Sequence, residues 1–311
     1  MFSASNLVAD GLVTELGGEF IDSDHEDILN LAAEFGFTLL DTQAASETDL
    51  FQTACYFNNQ LHTLADLANQ AQLFMPTIQA DIDMLPDLIS YQNSVEAAPF
   101  DMLSITNYLD SRDITGWFKS FIISAYTTEY GLAASEQSSI NFLFLVGEDA
   151  NGDFGIFGAS DEQYKIAGGS QQIPVRLAQE VPEVNYGYEL QRIRRTGTGY
   201  SLSFNTGKEL FFDYVVLAIP FTILRNIQID VDLPAVKKKS IAELGYGNNS
   251  KVVAGFTGRK WRDLGYAGDT FTDQAFMCGW DSSQMQDGTN GTFTFFNGGN
   301  EGKFSTKHRF L

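Results

Sequence analysis

The sequence predicts an α/β protein with one large domain or two medium ones, and three observations carry the prediction. The chain has 311 residues, of which 44% are hydrophobic and 13% aromatic. That is enough to bury one large core or two medium ones. The segment from Tyr214 to Ile219 is apolar without alternation, which is typical of a strand covered on both faces in a parallel sheet. Helical periodicity before and after that segment completes the α/β pattern.

The first element is an apolar run from Leu12 that ends in Glu15 and in Gly17-Gly18. Two adjacent glycines at the end of a strand let the backbone approach a flat, bulky group, because no Cβ stands in the way. The same pair is also compatible with an ordinary turn. The pattern therefore indicates either a place for a cofactor ring or a plain connection.

A helix is predicted directly after this stretch. Ser23 and Glu26 have the spacing of a capping box, and Gly36 is placed to end the helix. Apolar residues at helical spacing form one face: Ile28, Leu31, Ala32 and Phe35.

The remaining elements follow in order. We expect a short strand at 37–41, helices over 61–89 broken at Pro76 and Pro86, and one or two helices over 105–130. A loop is predicted at 147–158, and Gly168-Gly169-Ser170 opens another helix. The later segments have strand character, namely 188–193, 200–205, 211–219, 250–257 and 292–296.

The charge of the chain excludes several partners. There are 19 Lys and Arg residues against 40 Asp and Glu residues, which gives a formal charge of −21. Such a chain repels a nucleic-acid backbone, and the basic clusters at 192–195 and 237–239 are interpreted as solvated faces. An acidic field favours a cationic substrate, although acidity also serves solubility alone.

Cysteine usage and hydropathy narrow the class further. Cys55 and Cys278 make neither a disulfide framework nor a metal-ligand spacing, so both are predicted to be buried thiols. No apolar run approaches the roughly 18 residues of a membrane span, and the first residues do not form a signal peptide. We expect a soluble protein, cytoplasmic or periplasmic.

Several segments resemble the flavin-containing amine oxidases, the monoamine and polyamine oxidase superfamily. They are LVTELGGEFIDSDHEDILNLAAEFG, IAGGSQQIPVRLAQEV, YGYELQRI through FDYVVLAIPFTIL, and LGYGNNSKVVAGFTGRKW. The resemblance implies the two-domain α/β fold of that family. It places an incomplete Rossmann-like FAD-binding domain at 1–25 and 160–230, and a substrate domain with helices and a mixed sheet at 26–159 and 231–311.

The resemblance also implies FAD as cofactor and a set of residues around it. Lys251 is the lysine that holds a water near flavin N5 in the family, and it is the implied catalytic residue. The alternative is that Lys251 points outward from an edge strand, because a buried lysine without a partner is costly. The implied cofactor-binding residues are Glu15, Gly17, Gly18, Leu190, Ala218, Ile219, Pro220 and Trp261.

Two residues are implied to meet the substrate. Glu19 lies beside the expected ring site and is suited to an ammonium group, although an exposed carboxylate with a capping or solvation role is an equal alternative. The amino-acid oxidase branch of the family has an arginine near the position of Phe20. Its absence favours amines over amino acids as substrates.

The implied reaction is oxidation of an amine C–N bond by hydride transfer to the flavin, with oxygen as acceptor and peroxide as product. The family's G-x-G-x-x-G fingerprint is absent, so the chain resembles a form truncated at both ends. We therefore expect exposed strand edges and dependence on another chain for the missing FAD-binding parts. A non-catalytic fragment is the alternative, and an L-amino-acid oxidase, flavin desaturase or porphyrinogen oxidase relative is the alternative within the fold.

Overall fold

The computed structural model describes residues 1–149 and 152–304. Residues 150 and 151 of the predicted loop, and the end of the predicted segment 231–311, lie outside the described residues. The chain forms two compact units, one of Met1–Leu177 with Gly247–Leu311 and one of Ala178–Tyr246. Each unit is described by itself below.

The described residues form sixteen strands and twelve helices. The strands are β1 Ser3–Ser5, β2 Val13–Glu15, β3 Leu39–Asp41, β4 Phe51–Phe57, β5 Gln60–His62, β6 Gly147–Glu148, β7 Phe154–Gly155, β8 Tyr164–Ile166, β9 Leu190–Thr196, β10 Gly199–Phe204, β11 Glu209–Phe212, β12 Gln228–Asp230, β13 Asn249–Phe256, β14 Tyr266–Thr272, β15 Cys278–Asp281 and β16 Gly291–Gly298. The helices are α1 Glu26–Glu34, α2 Ala45–Thr48, α3 Leu64–Ile82, α4 Ala98–Asp101, α5 Ile105–Ser111, α6 Gly116–Tyr130, α7 Ser139–Leu143, α8 Gln172–Glu180, α9 Phe221–Leu224, α10 Ala235–Glu243, α11 Lys260–Asp263 and α12 Gly299–Phe304.

The first unit is built on a mixed six-stranded sheet. Its strand order is β13-β16-β15-β14-β4-β5. Only β14 and β4 run parallel, and the other neighbours are antiparallel. A smaller sheet pairs β3 with β8 and sets Leu40 opposite Lys165. These two sheets carry most of the side chains of the candidate site.

Helix α6 forms the centre of the main core. Its apolar face packs against α3, α5, α7 and the six-stranded sheet, and Phe118, Phe121, Ile122 and Tyr126 are fully buried. Gly131 ends the helix with a left-handed φ of 67°. A Cβ at Gly131 would collide with the Asn249 side chain. This glycine therefore lets β13, the strand that carries Lys251, begin against the end of α6.

The first helix is present, but its predicted capping box is wrong. Helix α1 begins at Glu26 with His25 at the N-cap and no side-chain hydrogen bond to the cap. Ser23 lies too early to cap it, and its backbone N–H donates to Asp161. The predicted end is confirmed, because Gly36 follows the helix with a φ of 71°.

The predicted break at Pro76 is also wrong. Helix α3 continues through Pro76 to Ile82. A proline inside a helix removes one backbone hydrogen bond. The helix persists because Ile78 is buried, and Phe74 and Met75 pack against the main core. Tertiary packing here outweighs the local preference of one residue.

The second unit is a four-stranded sheet with order β11-β10-β9-β12, in which β12 runs parallel to β9. The predicted strand 211–219, covered on both faces, is wrong for most of its length. Strand β11 ends at Phe212, and the exposed fractions of Tyr214 and Val216 are 89% and 90%. No strand among the described residues pairs with 213–219, and an apolar segment without a pairing strand does not form a ladder.

The strands predicted at 250–257 and 292–296 are confirmed as β13 and β16, which pair over their full length. Within the described residues, no helix combines the length and apolar character needed to cross a membrane.

Candidate functional site

A cavity of about 930 Å³ opens in the first unit. Its walls come from the segment after β2, from the end of α6, and from strands β13, β14 and β15. Leu16, Gly17 and Gly18 form one side of it, and Lys251 and Trp280 project from the sheet. A volume of this size accommodates a drug-sized ligand or a cofactor ring.

The predicted glycine pair lies on the cavity wall. Strand β2 ends at Glu15, so Gly17 and Gly18 follow a strand as the sequence predicts. A Cβ added at Gly18 would meet nothing within 4 Å, and one at Gly17 would make only ordinary contacts with Met1 and Phe2. The backbone at Gly18 therefore faces open space, and a planar group can approach it.

Glu19 is not the exposed carboxylate that one alternative expected, because its exposed fraction is 4%. Its Oε1 lies 2.9 Å from Lys165 Nζ, and its Oε2 accepts a hydrogen bond from Trp280 Nε1 at 3.0 Å. Lys251 Nζ lies 3.8 Å from the same Oε2. Glu19, Lys165, Lys251 and Trp280 are called the paired set below.

Lys251 points inward, so the outward alternative is wrong. Strand β13 is at the edge of its sheet, yet the Lys251 side chain is only 15% exposed. Its Nζ donates to the Gly17 carbonyl at 2.7 Å and lies 5.0 Å from the centre of the Trp280 ring. Desolvation lowers the pKa of this ammonium, while Glu19 and Glu15 oppose that shift. A lysine whose pKa is lowered in a cavity is suited to proton transfer.

Aromatic side chains close part of the wall. Phe20 meets Trp280 edge to face at 6.0 Å, and Trp280 lies 5.5 Å from Phe296. Lys165 Nζ is 5.5 Å from the centre of the Phe20 ring. This arrangement gives an amine both an apolar surface and a ring face for its cation.

Three further carboxylates line the cavity: Glu129, Glu162 and Asp269. Their oxygens make no hydrogen bond or ion pair within residues 1–149 and 152–304, and they are called the unpaired set below. All three residues are exposed, and all three line the cavity. An uncompensated carboxylate in such a place attracts a cation.

The pKa values of all three carboxyls are raised above their ordinary range. Burial raises the pKa of Asp269 to about 7, and nearby Asp281 adds to the shift. Burial also raises the pKa of Glu162 to about 8, with Asp269 and Asp22 adding repulsion. Both carboxyls therefore exchange protons near neutral pH.

Glu129 and Glu162 occupy unfavourable backbone positions for a carboxylate. Glu129 is in the last turn of α6, where the helix dipole disfavours an anion, and burial raises its pKa. Glu162 has a left-handed φ of 46°, and its N–H donates to Asp22 at 2.8 Å. Both residues remain at the cavity wall despite these costs.

Glu15 lies outside this cavity but close to it. Its exposed fraction is 6%, and its two oxygens accept from the Ser170 N–H at 2.6 Å and the Ser3 hydroxyl at 2.7 Å. Gly169 has a φ of 104°, and a Cβ there would collide with Ser3. The predicted Gly168-Gly169-Ser170 segment thus packs directly on the end of β2.

The other predicted cofactor residues are not on the cavity wall. Trp261 lies in α11, donates to Asp281 at 2.9 Å, and stacks edge to face on Phe256 and Phe293. Leu190 opens β9 in the second unit, and Ala218 and Ile219 precede α9, for which Pro220 is the N-cap. Their cofactor roles remain predictions.

Sequence reasoning missed Lys165, Trp280 and the unpaired set. Lys165 lies between Tyr164 and Ile166 in a short strand, and the resemblance that identified Lys251 names no role for it. No local pattern distinguishes Trp280 or Asp269, because their importance comes from residues far away in the sequence.

The residues present fit a flavin ring at this cavity. The open space beside Gly17 and Gly18 takes a flat group, and the aromatic residues offer an apolar wall. This fit concerns the ring alone.

Comparison with known proteins gives a family match over nearly the whole chain. Residues 4–309 match the family described as "Flavin containing amine oxidoreductase". The protein described as "Probable flavin-containing monoamine oxidase A" of Dictyostelium discoideum is 23% identical over 290 residues. That alignment covers 86% of this chain and 61% of the relative, so the chain spans about three-fifths of that relative's length.

Solved structures with the same fold include two amine oxidases. Putrescine oxidase in its putrescine-bound form superposes with a TM-score of 0.80 at 15% identity, and covers 99% of this chain and 69% of that one. Cyclohexylamine oxidase from Brevibacterium oxydans superposes with a TM-score of 0.77 at 16% identity, again over 99% and 69%. At these identities the likeness establishes the fold alone.

Proposed function

Because the chain belongs to the flavin containing amine oxidoreductase family, we propose that it takes part in the FAD-dependent oxidation of an amine, with oxygen as electron acceptor and peroxide as product. The single observation that carries this proposal is the cavity that joins the glycine wall, Lys251 and the unpaired set in one unit. When bound, FAD would supply a hydride acceptor, which protein side chains do not provide.

The unpaired set would receive the substrate. Glu162 and Asp269 have no counter-ion among the described residues, and an alkylammonium would supply one. Its entry would favour the ionised forms of both carboxyls. Oxidation requires the neutral amine, so one ammonium proton has to leave. A carboxyl with a pKa near 7 or 8 is matched to that transfer at neutral pH.

Lys251 and the aromatic residues Phe20 and Trp280 would contribute to the same cavity. The Lys251 Nζ is fixed by the Gly17 carbonyl and faces the cavity, where it can hold a water or exchange a proton. Phe20 and Trp280 would orient the apolar part of the amine and exclude water from it. Gly17 and Gly18 would hold the ring, with Glu15, Leu190, Ala218, Ile219, Pro220 and Trp261 as further proposed contacts.

A second candidate is a chain that acts only with another chain. The apolar side chains of Tyr214 and Val216 are almost fully exposed in the second unit. Exposed apolar residues beside a sheet edge are typical of surfaces that another polypeptide covers. In this alternative the added chain would complete FAD binding, and the present chain alone would hold no flavin.

The deciding experiment is the visible absorption spectrum of the purified chain with and without added FAD, followed by anaerobic addition of amines. A bound flavin band that bleaches with amine supports the enzyme. The Lys251→Met variant should bleach more slowly, and Lys260→Met, which changes an exposed lysine of α11, serves as its control. Failure to retain flavin at any FAD concentration would leave the second candidate.

A further inference from the structure

Lys165 is the buried lysine of the paired set, and the proposed function assigns it no role. Its exposed fraction is 5%, and it does not line the main cavity. Its Nζ donates to the Ser282 carbonyl at 2.9 Å and lies 2.9 Å from Glu19 Oε1. A buried ammonium is costly unless acceptors satisfy it, and these two oxygens do so.

Glu19 lies between two lysines at different distances from its carboxylate oxygens. Lys165 is 2.9 Å from one of its oxygens, whereas Lys251 is 3.8 Å from the other. The Trp280 indole donates to that second oxygen as well. Most of the carboxylate charge is therefore already compensated before Lys251 is considered.

We propose that Lys165 is a positioning residue that engages Glu19, so that Lys251 faces the cavity without a full counter-ion and gives up its proton readily. Lys165 acts through Glu19 and touches neither cofactor nor substrate. The inference rests on the proposed function only because that function gives Lys251 a catalytic use. The electrostatic coupling of Lys165, Glu19 and Lys251 does not depend on the proposed function.

Other charged groups also face Lys251. Glu15 and Glu162 raise its pKa and Lys165 lowers it, in addition to the large lowering by desolvation. Glu15 is hydrogen bonded to Ser3 and Ser170, and Glu162 belongs to the unpaired set. Neither has a lysine within hydrogen-bond distance in the described part of the chain. Glu19 is therefore the carboxylate for which a second lysine can compete with Lys251.

The test measures the titration of the Lys251 ammonium by NMR. It uses the full chain with isotope-labelled lysine side chains. Lys251→Arg assigns the signal, because it removes that resonance alone. Lys165→Gln keeps a hydrogen-bond donor beside Glu19 and Ser282 but removes the charge. Glu19→Gln removes the shared carboxylate, and Lys260→Gln is the control for loss of a distant, exposed lysine.

In Lys165→Gln, Glu19 becomes free to pair with Lys251, so the Lys251 titration midpoint should rise by about one pH unit or more. In Glu19→Gln it should fall, and in Lys260→Gln it should not move. A purely structural role for Lys165 would leave the midpoint unchanged in a folded variant, and that result overturns the proposal.

Glu19→Gln also decides the matter if Lys165→Gln does not fold, because an unchanged midpoint there would show that Glu19 does not act on Lys251. The measurement needs neither flavin nor turnover. Failure of the titration prediction therefore leaves the amine oxidase proposal standing, and failure of flavin binding leaves the titration prediction standing.

Discussion

The paired set and the unpaired set contribute carboxylates to one cavity, yet these carboxylates have different surroundings. Glu19 is 4% exposed and has two lysines and an indole around it. Glu162 and Asp269 have no such partners in the described residues, and their pKa values are raised to about 8 and about 7. A carboxylate that is already compensated stabilises the wall, whereas one that is not is available to a cationic ligand.

The largest effect should follow from breaking the paired set. Lys165→Met leaves Glu19 buried without its nearest cation, so we expect a loss of about 3 kcal/mol in the free energy of unfolding. Chemical denaturation of the variant and the wild type measures it. Lys260→Met, at an exposed ion pair, should cost little. A loss as small as that of the control would mean that the paired set contributes little to stability.

The second effect concerns ligand binding at the unpaired set. The double variant Glu162→Gln, Asp269→Asn should bind butylamine about tenfold more weakly, because a charge-assisted contact is lost. Isothermal titration calorimetry on the full chain measures this without any flavin. Asp287→Asn, an exposed carboxylate outside the cavity, should bind as the wild type does. Equal affinity in the double variant would remove the unpaired set from substrate binding.

A third effect is a pH dependence of stability. The pKa of Asp269 is raised in the folded protein, from 3.8 to about 7. Its contribution to stability is therefore complete at the acidic end and is lost as the pH rises through this window. Because the side chain has accessible surface in the cavity, we expect only about 1 kcal/mol. Denaturation at several pH values should show a smaller decline in Asp269→Asn, and an identical decline would contradict the assignment.

The smallest effect is expected at the thiols. Burial raises the pKa of Cys55 and of Cys278 to about 12, so neither thiolate forms near neutral pH. Cys278 lines the cavity, and its reaction with a thiol reagent reports whether reagents enter there. We expect slow modification in the folded chain and fast modification after unfolding. Fast reaction of the folded chain would show that the cavity opens widely.

The sequence predicted elements well where the signal is local. Gly36 ends α1, Gly17 and Gly18 follow a strand, and Lys251 lies in a strand, all as expected. Both cysteines are buried, as predicted. In each case the local structure is determined by the backbone preference of one residue, or by the hydrophobicity of one residue or of a short segment.

The predictions that were wrong each involved competition from elsewhere in the chain. Pro76 does not break α3, because the main core holds the helix on both sides of it. Ser23 does not cap α1, which begins only at Glu26, and its N–H donates to Asp161 instead of to Glu26. Tyr214 and Val216 were predicted to lie in a buried strand, but both are exposed and no strand among the described residues pairs with their segment.

The sequence by itself determined which residue types this cavity has: a glycine pair after a strand, a lysine in an apolar strand, and an excess of carboxylates. Only the tertiary structure decided which carboxylates are compensated. Glu19 meets Lys165 because Ile21, two residues further on, bridges to Tyr164, the neighbour of Lys165, and it meets Lys251 because that side chain reaches the Gly17 carbonyl. Ion pairs form only within about 4 Å, and such distances between remote residues are set by sheet register and packing.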